Sequence, residues 1–238
     1  QAATSIVYGA TLVITVAAVT ASAIALIGGG APASLVLPIG LPWTGAHFRV
    51  DALASFFLCV VNVGGAAASL YGIGYGQHED EPHRVLPFFP AFLAGMNVVV
   101  MANDAFSYLL SWEFMSLASW ALVIAHHHDP ENRRAGYVYL IMAGIGTLSL
   151  LLAFGLLTGP DGNYTFEAIR AGARTPLTAA FVLVLVLIGA GSKAGLVPLH
   201  AWLPLAHPAA PSHVSALMSG VMTKVAVYGF IRIVFDLA

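Results

Sequence analysis

Seven stretches of this chain are almost continuously apolar and long enough to cross a bilayer: about 5–27, 52–75, 85–102, 104–125, 135–157, 177–197 and 213–235. A span needs about 20 such residues, within a range of roughly 17–25. Nothing constrains the fold more, because lipid offers no partner for backbone N–H and C=O groups, and only helices or closed barrels satisfy them internally. The runs are continuous rather than alternating, with Gly and Ala throughout, which points to helices and not strands. Charge agrees. Only 8% of the 238 residues are Asp, Glu, Lys or Arg, against about 25% in a soluble domain. The expected fold is all-α, a polytopic transmembrane helix bundle of about seven spans, and a soluble enzyme is excluded.

The segments between the spans say less. The first span has no basic leader and no cleavage motif, so it reads as a span rather than a signal peptide. Ala102-Asn103-Asp104 leaves room only for a tight turn, which makes the third and fourth spans a helical hairpin. Gly64, Gly65, Ala66, Ala67 and Ala68 suit close helix approach in lipid. Cys59, the single cysteine, reads as a small buried hydrophobe. A net charge of -2 gives no reason to expect nucleic acid. Ordinary charge gathers in Gln77–Arg84, His126–Arg134 and Thr158–Pro176, the last with a short amphipathic stretch around Tyr164–Ala171. Arg84, Arg133 and Arg134 on one side face Arg49, Arg170, Arg174 and Arg232 on the other, too even a split for the positive-inside rule to orient the chain. His126-His127-His128 looks like a metal tract, but consecutive loop positions cannot all point at one ion without further ligands. No metal site and no cofactor is expected. There is no phosphate loop, dinucleotide glycine motif or nucleophilic triad, and no facing pair of mid-span histidines for a haem.

Three charges lie where loops do not. Lys193 and Lys224, the only lysines, sit in apolar surroundings, Lys224 at the centre of 213–235, and Glu113 lies near the centre of 104–125. Each charge at the bilayer centre costs about 2.5–3.5 kcal/mol, so the three together cost about 8–10 kcal/mol if each faced lipid alone. They must face one another, water or other polar groups. A static ion pair that fixes helix packing is one alternative. Two lysines against one acid is more than such a pair needs. Burial disfavours an isolated ammonium and a nearby carboxylate restores it, so movement of Glu113 relative to Lys193 would load or unload a proton. After Lys193 the sequence Ala194-Gly195-Leu196-Val197-Pro198 predicts a broken helix near Pro198, with Pro204 and Pro208 opposing resumption. Irregular backbone at that depth is tolerated where it is buried or lines a watery cavity, and broken helices beside ionisable groups recur at ion sites. An ordinary helix end stays open as the alternative. His200, His207 and His213 surround the break as candidate proton relays, or as interfacial residues capping helix ends.

These residues carry a resemblance. Trp112-Glu113-Phe114-Met115-Ser116-Leu117-Ala118-Ser119-Trp120, Lys193 through Pro204, Ala206 through Gly220, and Lys224 within Met222–Gly229 resemble the antiporter-like membrane subunits. Those subunits are shared by respiratory complex I, Mrp-type sodium/proton antiporters and membrane-bound nickel–iron hydrogenases. The wording is closest to the hydrogenase-linked branch that includes the formate hydrogenlyase subunit, and the likeness runs from about Arg49 onward. It implies that Glu113 and Lys193 form the modulating pair of a proton half-channel and that Lys224 is the next carrier. His200, His207 and His213 are implied as relay groups. It also implies a cofactor-free, multi-pass subunit of the inner (plasma) membrane, coupling proton movement to electron transfer in partner membrane and hydrophilic subunits. The His126–Arg134 loop would be cytoplasmic.

Complete subunits of that kind have about twice as many spans, arranged as two inverted repeats. Here 1–84 would be N-terminal transmembrane helices and 85–238 the first five-helix repeat, with the second repeat absent, as expected of part of a longer protein. Two other functions stay open: a non-pumping membrane anchor of such a complex, and a subunit of an Mrp-type sodium/proton antiporter.

Overall fold

The computed structural model of the chain describes residues 2–79, 81–159 and 162–238. Its elements in order are α1 (Ala2–Gly28), β1 (Ala33–Leu37), β2 (Ala46–Val50), α2 (Ala52–Tyr75), α3 (Pro82–Val85), α4 (Phe88–Met101), α5 (Ala105–Val123), α6 (Pro130–Thr158), α7 (Phe166–Ala171), α8 (Pro176–Ala194), α9 (Leu203–Ala209), α10 (Ser212–Leu217) and α11 (Thr223–Ile231). Wider turns at Met218–Met222 and Arg232–Leu237 join α10, α11 and the end of the chain into one helical rod. Among the described residues, six helical stretches are long and apolar enough to cross a membrane: Ala2–Gly28, Ala52–His78, Pro82–Met101, Pro130–Thr158, Pro176–Ala194 and Ser212–Leu237. The segment expected as a seventh is α5, a true helix whose Ser107, Ser111, Ser116, Ser119 and Glu113 dilute its apolar character. Its long side chains Tyr108, Trp112 and Met115 are nonetheless fully buried.

The bundle is helical as expected, and one short element within it is not. Residues 33–50 form an antiparallel hairpin, with Ala33 opposite Val50 and Leu37 opposite Ala46. The intervening Pro38, Gly40, Pro42 and Gly45 cannot continue a helix, and Gly45 closes the loop in the left-handed region at φ 72°. A Cβ at Gly45 would lie 2.8 Å from the Leu37 carbonyl oxygen.

The hairpin fixes the sharp turn between α4 and α5. Asp104 caps α5, its Oδ1 accepting from the Ser107 N–H at 2.6 Å, while its Oδ2 accepts from the His47 N–H at 2.8 Å. Asn103 donates its N–H to the His47 carbonyl, Ala105 to that of Tyr164, and Phe166 to that of Asn103. The carboxylate is 1% exposed, and these bonds are what make its burial tolerable. The amphipathic stretch at 164–171 is the short helix α7, capped by Thr165.

A second polar cluster ties the same end together. Arg232 donates to both oxygens of Asp51, at 2.7 and 2.8 Å, and to Asp236 at 2.9 Å, while Arg170 grips both oxygens of Asp236. Asp51 in turn caps α2 by accepting from the Ala54 N–H. Burial alone would raise the Asp51 carboxyl. The Arg232 hydrogen bonds, the Ala54 N–H and the charges of Arg232 and Arg49 outweigh it and hold the group below the usual carboxylate range.

Asp51→Asn leaves Arg232 with the Asp236 carboxylate and the neutral Tyr228 hydroxyl, and is expected to destabilise the fold by about 3 kcal/mol, the low end for breaking a buried pair. Because the folded carboxyl lies below its unfolded value of about 3.9, the stabilisation is complete above that pH and is lost as pH falls through the folded value. Thermal melts in detergent should therefore show a constant gap between wild type and Asp51→Asn at neutral and mildly acidic pH, closing below about pH 4.

Candidate functional site

The buried face of α5 carries Ser111, Trp112, Met115, Ser116 and Ser119. Its serines fold their hydroxyls back onto the helix, Ser111 to the Ser107 carbonyl, Ser116 to that of Trp112 and Ser119 to that of Met115. Each hydroxyl oxygen keeps lone pairs free to accept from a neighbouring helix. Gly95 brings α4 close, since a Cβ there would lie 2.9 Å from Met115 Cα.

Lys193 approaches this face from α8. Its position follows from contact between α6 and α8 at Gly146 and Gly189, where a Cβ on Gly189 would lie 2.8 Å from the Gly146 carbonyl oxygen. One turn beyond Gly189, Lys193 is 5% exposed. Its Nζ donates to Ser116 Oγ at 2.6 Å and to the Tyr139 hydroxyl at 3.2 Å. It also stands 5.2 Å from the Tyr139 ring centroid and 5.8 Å from that of Trp112, so two aromatic faces help to hold the charge. The Tyr139 hydroxyl shares a 2.6 Å hydrogen bond with Ser119 Oγ.

Glu113 lies one turn from Ser116 on α5, partly buried, and accepts a short hydrogen bond from Thr147 Oγ1 of α6. Among the described residues it is in no ion pair. The direct Glu113–Lys193 pair implied by resemblance is therefore not made in this conformation. Each charge is held instead by hydroxyls, Lys193 by Ser116 and Tyr139 and Glu113 by Thr147. A cavity of about 10 Å³ lies between Trp112, Tyr139, Gly146, Gly189, Lys193 and Trp202, which is room for about one water beside the ammonium.

The predicted break is real and starts slightly earlier than Pro198. α8 stops at Ala194, where Gly195 takes the left-handed conformation at φ 81°, ψ 29°. Leu196 donates its N–H to the Gly191 carbonyl, and the Trp202 indole N–H reaches back to that of Ser192 at 2.8 Å. Carbonyls that would otherwise be orphaned next to Lys193 are thus satisfied.

The remaining candidates are dispersed. Lys224 is exposed on the outer face of α11, bonded among the described residues to the Ser219 carbonyl and Thr223 Oγ1, both at 3.3 Å. His207 Nδ1 shares a 2.6 Å bond with Ser215 Oγ. His213, 3% exposed, shares a 2.7 Å bond with the Tyr8 hydroxyl of α1 and packs against Tyr75 and Phe89. His200 is partly buried, and its Nδ1 has no partner among the described residues. The three imidazoles do not bond one another, so any relay among them needs intervening groups. Sequence reasoning missed Tyr139, Thr147 and Trp202. Tyr139 and Thr147, eight residues apart within the apolar part of α6, were the available signal, since that spacing brings both toward one side of the helix.

Comparison with known proteins gives a consistent result. The family model described as NADH:quinone oxidoreductase/Mrp antiporter, TM, matches residues 102–238. An uncharacterized protein of Mycobacterium tuberculosis is 41% identical over 197 residues, 83% of this chain and 30% of that protein. Hydrogenase-4 component B of Escherichia coli is 39% identical over 191 residues, 79% of this chain and 28% of that protein. The chain thus spans about a third of the length of these relatives. In fold it is similar to a chain of the Mrp complex from Dietzia sp., with TM-score 0.81 and 22% identity, covering 99% of this chain and 45% of that one.

Gly189→Ala sets a Cβ against the backbone of α6 and must push α8, and Lys193 with it, outward. A loss of about 1–3 kcal/mol is expected, the usual cost of overpacking. Tyr139→Phe should cost about 1–3 kcal/mol by removing a partner from a buried donor. Both are read as a lowered melting temperature of the purified protein.

Proposed function

We infer the function of this chain from one premise: it belongs to the NADH:quinone oxidoreductase/Mrp antiporter transmembrane family. It is an antiporter-like, multi-pass membrane protein. Within that class we place it as a proton-translocating part of a membrane-bound hydrogenase or related oxidoreductase complex, working beside other membrane and hydrophilic subunits in the inner (plasma) membrane. The identity with a hydrogenase-4 component supports the assignment of complex. Residues 85–238 would be the first five-helix repeat, and the His126–Arg134 loop would be cytoplasmic.

The observation that carries the proton role is Lys193, buried between helices and held by hydroxyls rather than by a carboxylate. A carboxylate partner would commit the amine to its charged form. Hydroxyls do not, because Ser116 and Tyr139 can accept from an ammonium or donate to a neutral amine. The site is therefore built to hold Lys193 in either state. What biases it is the distance of Glu113, which lies one turn from Ser116 on α5 and is now engaged by Thr147 of α6. Swinging the carboxylate off Thr147 toward Ser116 would favour proton uptake by Lys193, and its return would favour release. The small cavity beside Lys193 offers a water-sized step for the proton. Lys224, and behind it His200, His207 and His213, would continue the path. Lys224 needs water or a polar partner over its exposed face to do so.

Proton uptake by the full complex in proteoliposomes tests this. Lys193→Ala and Glu113→Gln should each lower the initial rate about tenfold or more, on the scale of a positioned proton-transfer group. Unchanged uptake in both variants would overturn the assignment. Electron transfer with no proton movement in the unaltered complex would instead mark a non-pumping anchor, and sodium movement an antiporter of the Mrp kind.

A further inference from the structure

The end of the bundle opposite the hairpin brings together two segments whose charged side chains the proton path does not use. The connection between α2 and α4 supplies Glu79 and Glu81, and the turn between α5 and α6 supplies His126, His127 and His128. Glu79 Oε1 and His126 Nε2 satisfy each other at 2.5 Å. The other three are left facing a common point. Glu81, His127 and His128 each offer one ligand atom, and these atoms all lie within 4.8 Å of one another, with Glu81 Oε1 3.8 Å from His128 Nε2. Ligands about 2.0–2.2 Å from a tetrahedral ion sit roughly 3.4 Å apart, so small side-chain rotations complete the geometry.

Consecutive histidines cannot converge on one ion without help, and here the fold supplies the missing ligand from a different segment. The surroundings are also prepared for it. Arg84 takes the other carboxylate oxygen, Oε2, at 3.3 Å, which leaves Oε1 directed at His128. Arg84 also sits 3.5 Å from His127 Nε2, whereas His127 Nδ1 is buried and has no partner among the described residues. Buried polar nitrogens are seldom left unpaired.

We propose that Glu81, His127 and His128 form a binding site for one divalent ion of the zinc class, linking the α2–α4 connection to the α5–α6 turn. Two imidazoles and a carboxylate suit zinc and its neighbours, whereas Ca²⁺ and Mg²⁺ prefer oxygen ligands throughout. Three protein ligands leave the fourth position to water. The bridge would restrain the turn that joins Glu113 and Ser116 on α5 to Tyr139 and Thr147 on α6.

Titration calorimetry on the chelator-stripped chain in detergent, with Zn²⁺ alone as the probe, tests the site. One ion per chain is expected, and Glu81→Gln and His128→Ala should each weaken binding by about tenfold or more, at least the loss that outer-shell changes produce. His47→Gln, in the hairpin at the other end, should leave it unchanged. Zn²⁺ should also slow amide exchange in 81–86 and 124–130 together in the unaltered chain but not in Glu81→Gln. Absence of stoichiometric binding, or binding equally tight in both ligand variants, would overturn the proposal. So would several weak sites indifferent to all three substitutions.

Discussion

A hydrocarbon environment holds no water to satisfy a stray charge or backbone group, and the structure is arranged around a place where both arise together. α8 ends inside the bundle at Gly195, which frees carbonyls, and its last turn carries the Lys193 ammonium. Both are satisfied from neighbouring elements: the carbonyls by Leu196 N–H and the Trp202 indole, the ammonium by Ser116 and Tyr139. Those partners come from α5, α6 and the segment leading to α9. The packing of the bundle is therefore a condition for the break, and the glycine contacts at Gly95–Met115 and Gly146–Gly189 set the helix spacings that let side chains this short reach Lys193.

The ends of the bundle solve a different problem, the tight turns. At one end Asp104 joins the α4–α5 turn to the hairpin, and Arg232 joins Asp51 to Asp236 and, through it, to Arg170. These are charge-assisted bonds with several donors per carboxylate, the arrangement in which buried ionic groups are least costly. The other end is held by looser, partly exposed contacts among Glu79, Glu81, Arg84 and His126–His128. The hairpin end is thus the fixed platform, and the opposite end is where a bound ion or a conformational change has the smaller barrier to overcome.

Parts of this were legible in the chain itself. The span at 52–75 was readable because a long apolar run without charge reads as a helix in lipid, and the break after Lys193 because Gly195 and Pro198 each oppose a helix; Pro204 and Pro208, expected to oppose resumption, instead lie within the short helix α9, Pro204 in its first turn, where its missing N–H costs nothing. The hairpin at 33–50 was not. Its strands are five residues long, and their pairing is set by turn geometry and by the distant Asp104 and Asn103. Glu113, Lys193 and Lys224 stood out because charge in an apolar run is expensive wherever it faces. Tyr139 and Thr147 did not, since a hydroxyl in a span costs little and recurs on helix surfaces without function.

The sequence by itself determined the class of the protein and the positions at which its chemistry must be sought, because both follow from one-dimensional facts: the length of apolar runs and the residues that interrupt them. Only the tertiary structure decided who faces whom. Glu113 bonds Thr147 rather than Lys193, Lys224 looks outward while Lys193 looks inward, and Glu81 joins two histidines some forty-five residues away. Those choices depend on helix rotation and on how closely α5, α6 and α8 approach. Both are fixed by packing across residues far apart in the chain, which no local pattern records.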